Sequence, residues 1–354
     1  MNSTRWDLSY SQSKLEELAR LFLNRPHLRP LILCHNNPDP DTIASSFALS
    51  FLLLKKFGIR TTLGYGGVVT RAENKAMIQR LKIKMMSLKK VSASKYDSTM
   101  LVDAQPGSGN NLLTAKGALP LVVIDHHPLR KMSQKALFND IRPHYGATST
   151  ILTEYLLAAG LKLTRPIANA LLYGLKTDTN SLIRGAGKAD YHAFNYLTPL
   201  TNPRVLGCIE KPELPIAYFE EFYTGLANSV IYKDAAISNL GKIRMESIIP
   251  ELSDLMLRIE GVNWSLCMGE INEQIALSLR STSRTLKAGN VLIRLLGKLG
   301  SAGGHREMAG GQASLAGLTE LERNQLCDKL ITDFLKIIKR PYSNPKKLMK
   351  NCTA

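Results

Sequence analysis

Four short stretches of the chain carry residue types that bind divalent cations. LILCHNNPDPDTIASS, residues 31–46, holds His35, Asp39 and Asp41. The run Thr99-Met100-Leu101-Val102 ends on Asp103, and the apolar run 119–124 ends on Asp125-His126-His127. Asp178 stands in GLKTDTNS. Imidazole mixed with carboxylate suits a borderline-hard ion such as Mn2+ better than zinc, which takes more nitrogen or sulfur. His35, Asp39, Asp41, Asp103, His126 and Asp178 together carry about four negative charges at neutral pH. Buried without compensation, those carboxylates would repel one another. Two divalent cations balance them, and a pair of ions sharing one carboxylate can activate water and clamp a phosphoryl group. Metal-assisted hydrolysis is the chemistry expected.

These residues need elements that bring them together. Leu31 to Cys34 reads as a buried strand behind Pro30, and Thr42 to Phe57 as a buried helix stopped by Gly58. Residues 59–63, 99–102 and 119–124 read as further strands, and 71–90, 149–159 and 167–175 as helices. Strands alternating with helices predict an α/β fold, a mostly parallel sheet with helices on both faces. Parallel strands gather their carboxyl ends on one edge, where open α/β sheets place their sites. Pro38 and Pro40 hold the loop from His35 to Asp41 extended. A single Asp after a strand is commonly a cap or a turn residue. Three strand ends that all carry ligand types weigh against that here.

The pattern changes where Pro199, Pro203, Pro212 and Pro215 cluster. The expected organisation is a metal-binding catalytic domain over 20–198, a linker over 199–227, a smaller α/β substrate-binding domain over 228–340 and a flexible basic tail over 341–354. Within the second domain, 228–238, 243–249, 264–268 and 274–279 read as strands, and 250–260, 291–299 and 318–338 as helices. GKLGSAGGHREMAGGQAS, residues 297–314, holds six glycines around His305 and reads as a loop whose backbone approaches an anion, not as a strand or helix. SLRSTSR, residues 278–284, supplies Arg280, Ser281 and Arg284 as phosphate contacts.

The 354 residues are 44% hydrophobic and 21% charged, ordinary for a globular chain with real cores. The net charge of +17 attracts polyanions without separating nucleic acid from small phosphates or acidic lipid. Between Arg71 and Lys95 eight basic residues face one acid, Glu73, a run able to guide phosphate chains. The longest uncharged apolar stretch, Thr42 to Leu54, falls short of the roughly 20 residues that span a bilayer, so no membrane partner is expected. No apolar core of a secretory signal follows the first residues, and the five cysteines form no Cys-x-x-Cys pair. A cytoplasmic location is expected.

HNNPDPDTIAS (35–45), LVDAQPG (101–107), IDHHP (124–128), GATSTILTEYL (146–156), LLYGLKTDT (171–179) and GGHREMAG (303–310) follow one another along the chain. In that order they resemble the DHH phosphoesterase family with its associated C-terminal domain. The resemblance implies that His35 and Asp39 hold one manganese ion, that Asp41, His126 and Asp178 hold another, and that Asp103 bridges them. It makes Asp125 an orienting residue and puts His127 on the scissile phosphate or the leaving group. It places Arg280, Gly303, Gly304 and His305 on substrate phosphate or the far end of a nucleotide. Two departures are visible: Ser301-Ala302 stand where many relatives have glycines, and Met308 replaces an alanine. Within the family the chain resembles the compact nanoRNase and pAp phosphatase group. The expected activity is manganese-dependent hydrolysis of short oligoribonucleotides or small nucleotides such as pAp, by in-line attack of metal-bound hydroxide. The alternatives are a linear or cyclic dinucleotide phosphodiesterase and a non-catalytic nucleotide-binding regulator. A nucleotide or short oligonucleotide is the expected partner, with a homodimer admitted.

Overall fold

A computed structural model describes residues 6–23, 25, 28–89, 95–113, 119–304 and 306–349. The chain divides into two compact units, Met1–Pro212 and Glu213–Ala354.

The first unit is built on six strands: β1 (Pro30–Leu33), β2 (Thr62–Tyr65), β3 (Met85–Ser87), β4 (Ser98–Val102), β5 (Val122–Asp125) and β6 (Phe138–Ile141). They lie in the order β3-β2-β1-β4-β5-β6, and every pair is parallel. The helices are α1 (Ser9–Phe22), α2 (Pro40–Phe57), α3 (Ala72–Arg80), α4 (Thr148–Ala158), α5 (Arg165–Asp178), α6 (Lys188–Leu197) and α7 (Pro203–Glu210). All four residues of β1 are buried, as a strand covered on both faces requires. Ile32 joins the main core with Ile43, Leu49 and Ile151, while Leu31 and Leu33 pack on the opposite face with Leu101, Val123 and Tyr96. The short 3-10 helix Lys131–Lys135 leads into Ala136 on that second face. The connections diverge around β1, which has β2 on one side and β4 on the other. The carboxyl ends of β1, β4 and β5 are therefore neighbours at the switch point of the sheet.

Helix α2 starts and stops as its sequence dictates. Asp39 caps it by accepting from the Thr42 backbone N–H at 2.9 Å, Pro40 occupies its first turn, and Gly58 ends it at φ 72°. The segment 71–90 departs from its expected single helix. α3 stops at Arg80, Lys82 turns the chain at φ 55°, and β3 adds an edge strand. Leu81 and Ile83 are buried on either side of that turn, so tertiary burial overrides the helical pattern.

The proline-rich stretch 199–227 is structured. Pro199 and Pro203 sit in the first turns of a 3-10 turn (Thr198–Leu200) and of α7, and Pro215 caps α8 (Ile216–Ala227). A proline has no N–H to lose at a helix start, so this cluster initiates helices.

In the second unit β7 (Val230–Tyr232), β8 (Ala235–Lys242), β9 (Trp264–Ile271), β10 (Gln274–Ser281), β11 (Gly300–Gly304), β12 (Met308–Ser314) and β13 (Lys346–Lys347) form one mixed sheet, ordered β11-β12-β10-β9-β8-β7-β13. Only the β8–β9 pair is parallel among these strands. The unit also carries α9 (Ile248–Met256), α10 (Ala288–Leu296) and α11 (Glu320–Ile337). Residues 243–249, expected as a strand, follow the end of β8 at Lys242 and lead into α9, whose first turn accepts Pro250.

The glycine-rich segment corrects its sequence reading, for it forms two paired strands. A Cβ at Gly300 would lie 2.0 Å from the Gln312 carbonyl oxygen, and one at Gly304 would lie 2.4 Å from that of Met308. These glycines permit close strand packing instead of preventing a strand. The tail differs too. Tyr342 stacks on Tyr232 with ring centroids 5.4 Å apart, and Lys346–Lys347 pair with β7. Among the described residues no helix is long and apolar enough to cross a membrane.

Replacing Tyr342 with alanine should lower the unfolding free energy by about 1 kcal/mol, the usual worth of such a pair beyond its buried area. Urea denaturation followed by tryptophan fluorescence in a Trp6→Phe background, which leaves Trp264 as the reporter, checks it; an unchanged midpoint would show that the tail adds nothing.

Candidate metal centre

The strand ends deliver the predicted residues to one place. His35 and Asp39 leave β1, Asp103 ends β4, Asp125 closes β5 ahead of His126 and His127, and Asp178 is the last residue of α5. The ligand atoms of His35, Asp39 and Asp103 lie within 4.8 Å of one another, and so do those of Asp41, His126 and Asp178. Asp103 faces both groups: one oxygen is 3.8 Å from His35 Nε2 and the other 3.6 Å from His126 Nε2. His126 Nε2 lies 3.0 Å from Asp178, and His35 Nε2 lies 3.5 Å from Asp39. A further group joins Asp103, Asp125, His126 and His127.

Each ligand is held from behind. His35 Nδ1 meets the Asn36 carbonyl at 2.8 Å, and His126 Nδ1 meets the Tyr145 carbonyl at 3.1 Å. A carbonyl only accepts, so both rings carry a proton on Nδ1 and turn Nε2 toward the carboxylates. Asp41 is fully buried, and its two oxygens accept the backbone N–H groups of Thr148, at 2.7 Å, and Ser149, at 2.8 Å, in the first turn of α4. A helix N-terminus is a natural seat for an anion. Asp103 accepts from the hydroxyls of Thr42 and of Thr148, the latter at 2.9 Å, and its own backbone is left-handed at φ 54°. Asp125 accepts from Gln105 at 2.7 Å and from His127 Nδ1 at 2.8 Å.

These braces have supports of their own. Asp190 of α6, fully buried, accepts the N–H groups of Gly146 and Gly187 and the Thr150 hydroxyl, which fixes the turn that aims α4 at Asp41. Tyr145, whose carbonyl orients His126, donates its hydroxyl to Glu154 at 3.0 Å. Glu154 is buried and also receives Trp6 Nε1, the Ser11 hydroxyl and Arg142, while Arg142 pairs with Asp140. At Gly174 on α5 a Cβ would fall 2.5 Å from Ser149 Oγ and 3.0 Å from the Asp41 Cα, so α5 passes too close for any side chain there.

Crowded charge shows in the titration of the group. Burial pushes the Asp103 carboxyl up to about 7, with the Asp39 charge adding to it. Burial, with Asp103 and Asp178 nearby, drives Asp41 well above the ordinary carboxylate range. Burial presses Asp39 upward as well, but the His35 charge outweighs it and holds that carboxyl low. Burial lowers His35, and Asp39 and Asp103 overcome it to raise the imidazole to about 10. His126 is raised against burial by Asp178 and Asp103. The hydrogen bond to Asp125 raises His127, and Asp125, pushed up by burial, is held down by His127.

The donor set fits a pair of divalent cations. His126 Nε2 is buried and has no hydrogen-bond partner, although carboxylates surround it. A buried ring nitrogen set between carboxylates is a seat that a cation would fill in place of its proton. Two imidazoles, four carboxylates and no thiolate suit Mn2+.

The second unit places its predicted residues at one end of its sheet. Arg280 pairs with Met308, Leu279 with Ala309, and Ala309 in turn with Gly304, while Gly303 pairs with Gly310. Arg280 is largely buried, and its guanidinium binds Asp254, the Ser278 hydroxyl at 2.8 Å and the Leu279 carbonyl at 3.2 Å, so part of the expected phosphate fork is engaged inside the unit. Ser281 is buried and accepts from the Ser283 N–H at 2.9 Å, and Arg284 is exposed. His305 lies outside the described residues, as does Lys90 of the basic run 71–95.

Sequence reasoning missed Thr42, Gln105, Tyr145, Thr148, Ser149, Gly174 and Asp190. Five of them lie in stretches quoted above, yet hydroxyls, an amide, backbone N–H groups and a glycine carry no metal-ligand signature there.

Residues 29–175 match the sequence model of the DHH family, N-terminal domain. An uncharacterized protein of Methanocaldococcus jannaschii is 30% identical over 313 residues, covering 86% of this chain and 62% of that protein, so the chain spans less than two thirds of that relative. A probable manganese-dependent inorganic pyrophosphatase of Streptococcus pyogenes is 24% identical over 150 residues, 42% of this chain and 48% of its own length. An exopolyphosphatase-related protein from Bacteroides fragilis shares the fold, with a TM-score of 0.68 at 17% identity over 92% of this chain and 98% of that one.

Gly174→Ala should weaken Mn2+ binding by about tenfold or more while the circular dichroism of the fold is kept, because the added methyl displaces Asp41 and Ser149. Calorimetric titration with Mn2+ reads it, and unchanged affinity would show that the close approach is idle. Protons compete with cations for these ligands, and His35 keeps its proton up to about pH 10 in the metal-free site. Mn2+ affinity should therefore rise as pH climbs toward about 10, with proton release visible in buffers of different ionisation enthalpy.

Proposed function

We propose that this chain, whose residues 29–175 match the N-terminal domain of the DHH family, is a metal-dependent phosphoesterase acting on short oligoribonucleotides or small nucleotides such as pAp. The C-terminal unit is, on this reading, the family's associated substrate domain, in the manner of the nanoRNase and pAp phosphatase group. The observation that carries the reading is Asp103, one buried carboxylate between two ligand groups, 3.8 Å from His35 Nε2 and 3.6 Å from His126 Nε2. Such a carboxylate is the expected centre of a two-metal phosphoryl site. The similarity to a protein named as a manganese-dependent pyrophosphatase supports Mn2+ and a phosphorus-centred reaction.

His35 and Asp39 would hold one cation, Asp41, His126 and Asp178 the other, and Asp103 both. Bound there, divalent cations supply Lewis acidity and lower the pKa of water. The remaining work belongs to the protein. Asp125 holds the Nδ1 proton of His127 and fixes the ring, whose side chain is 45% exposed. His127 Nε2 is then left to meet the scissile phosphate or to give a proton to the leaving oxygen. Gln105 steadies Asp125 and is itself held by Ser133, at 2.7 Å, and the Arg130 N–H, at 2.8 Å. Thr42 and Thr148 keep Asp103 from rotating away from either ligand group.

The test is a panel of pAp, di- to pentanucleotides, linear and cyclic dinucleotides and pyrophosphate, each incubated with Mn2+. Turnover of pAp or short oligonucleotides is expected, and a preference for dinucleotides would move the substrate assignment within the same chemistry. Asp103→Ala and His126→Ala should each cut turnover by about a thousandfold or more in a folded protein. Near-wild-type turnover in either variant overturns the site. Mn2+ uptake with no hydrolysis of any member would point instead to a nucleotide-binding regulator.

A further inference from the structure

The two groups of ligand atoms are supported in different ways. In the first, His35 is oriented by the Asn36 carbonyl, and Asp39 accepts the Thr42 N–H, so both are held by their own loop and the first turn of α2. The second group, Asp41, His126 and Asp178, comes from three distant stretches. All three lean on one turn, residues 145–149. Asp41 is met by the Thr148 and Ser149 N–H groups, and His126 by the Tyr145 carbonyl. Asp178 is followed by the fully buried Thr179, whose methyl lies 2.5 Å from where a Cβ on Gly146 would fall. Asp103 touches the turn through Thr148 but keeps a second brace, the Thr42 hydroxyl, outside it.

The turn itself is fixed from α6. One oxygen of Asp190 accepts both the Gly146 N–H, at 2.9 Å, and the Gly187 N–H, at 2.8 Å, and the other accepts the Thr150 hydroxyl at 2.5 Å. These partners are neutral, so the buried carboxylate serves here as a bidentate acceptor and not as half of an ion pair. Two glycines fit the same joint. A Cβ at Gly146 would stand 3.2 Å from the Asp190 carboxylate, and one at Gly187 would stand 3.1 Å from the His144 carbonyl oxygen. The turn ahead of α4 and the start of α6 therefore interlock around Asp190, which is in neither ligand group.

We propose that Asp190 is a positioning residue for one cation of the pair. It governs the seat formed by Asp41, His126 and Asp178 and leaves the seat formed by His35, Asp39 and Asp103 in place. The two seats are thus unequal: the His35 seat is built by local contacts, and the Asp41 seat depends on the start of α6. The inference rests on reading the centre as a two-cation phosphoesterase site, and it is tested on cation uptake instead of turnover.

The experiment titrates metal-free, full-length protein with Mn2+ by calorimetry and records EPR spectra at each ratio, for wild type, Asp190→Ala, Asp190→Asn and Thr150→Val. Wild type should take up two ions per chain and show the exchange-coupled spectrum of a pair. Asp190→Ala leaves two backbone N–H groups without an acceptor. It should bind its first ion within about twofold of wild type and its second about tenfold or more weakly, so that the hyperfine pattern of an isolated ion persists where wild type has paired. Asp190→Asn can turn its amide oxygen to both N–H groups and its NH2 to the Thr150 hydroxyl oxygen, so it should restore the pair. Thr150→Val keeps the cap of α6 and should weaken the second ion by about threefold or more, and it carries the test if Asp190→Ala does not fold.

Equal weakening of both ions in Asp190→Ala overturns the inference, as does an unchanged second ion in folded Asp190→Ala or in Thr150→Val. Failure of Asp190→Asn to restore the pair overturns it too, because the buried charge would then be the agent. Wild type that never takes up a second ion overturns it together with the two-cation reading. If the variants behave as expected while wild type hydrolyses no member of the panel, the inference stands and the phosphoesterase reading alone falls.

Discussion

The constraint on which the first unit depends is the burial of carboxylates that share one space. Asp41, Asp103 and Asp125 are each at most 2% exposed. Taking an anion out of water costs several kcal/mol even after relaxation, so each must be met by donors or by opposite charge. The fold answers oxygen by oxygen. Asp41 is met by two backbone N–H groups at the start of α4, Asp103 by two threonine hydroxyls, and Asp125 by an amide and an imidazole. Local donors do not remove the mutual repulsion, which appears as raised carboxyls at Asp41 and Asp103. Cations complete the answer that the protein begins.

One segment does much of the orienting. Between β6 and α4, residues 142–150 present the Tyr145 carbonyl to His126, the Thr148 and Ser149 N–H groups to Asp41, and the Thr148 hydroxyl to Asp103. The segment therefore touches ligands of both groups. It is pinned at one end by the buried cluster of Arg142, Asp140 and Glu154 and at the other by Asp190. Removing one member of a buried ionic cluster strands the others, which explains why so much charge is invested in a turn.

What was legible in the sequence follows from where the information resides. Imidazole and carboxylate ligands declare themselves by residue type, and Asp-Pro-Asp declares a strand end running into a helix. The parallel sheet was legible because buried strands read as short apolar runs. The donors were not, because a backbone N–H of Thr148 looks like any other. Asp190 and Glu154 were not, because their partners lie far away along the chain. Gly174 read as an ordinary helix residue, although only contact with Asp41 explains it. The glycines of β11 and β12 and the prolines of 199–215 read as breakers in the sequence, where the structure uses them for close packing and for starting helices.

Trp6 and Ser11 bond to Glu154, and Glu154 steadies the tyrosine behind His126. Asp190 secures the turn ahead of α4 from the opposite direction. The centre thus draws on nearly the whole length of its unit, from before its first helix to the start of its sixth. Asp41 and Asp103 precede in sequence the turn that meets them, and that turn is secured only when Asp190 of α6 is in place. A cation held there would bind the finished unit and not its parts, so its binding energy would accrue to the whole fold, as a latch shut behind the sixth helix.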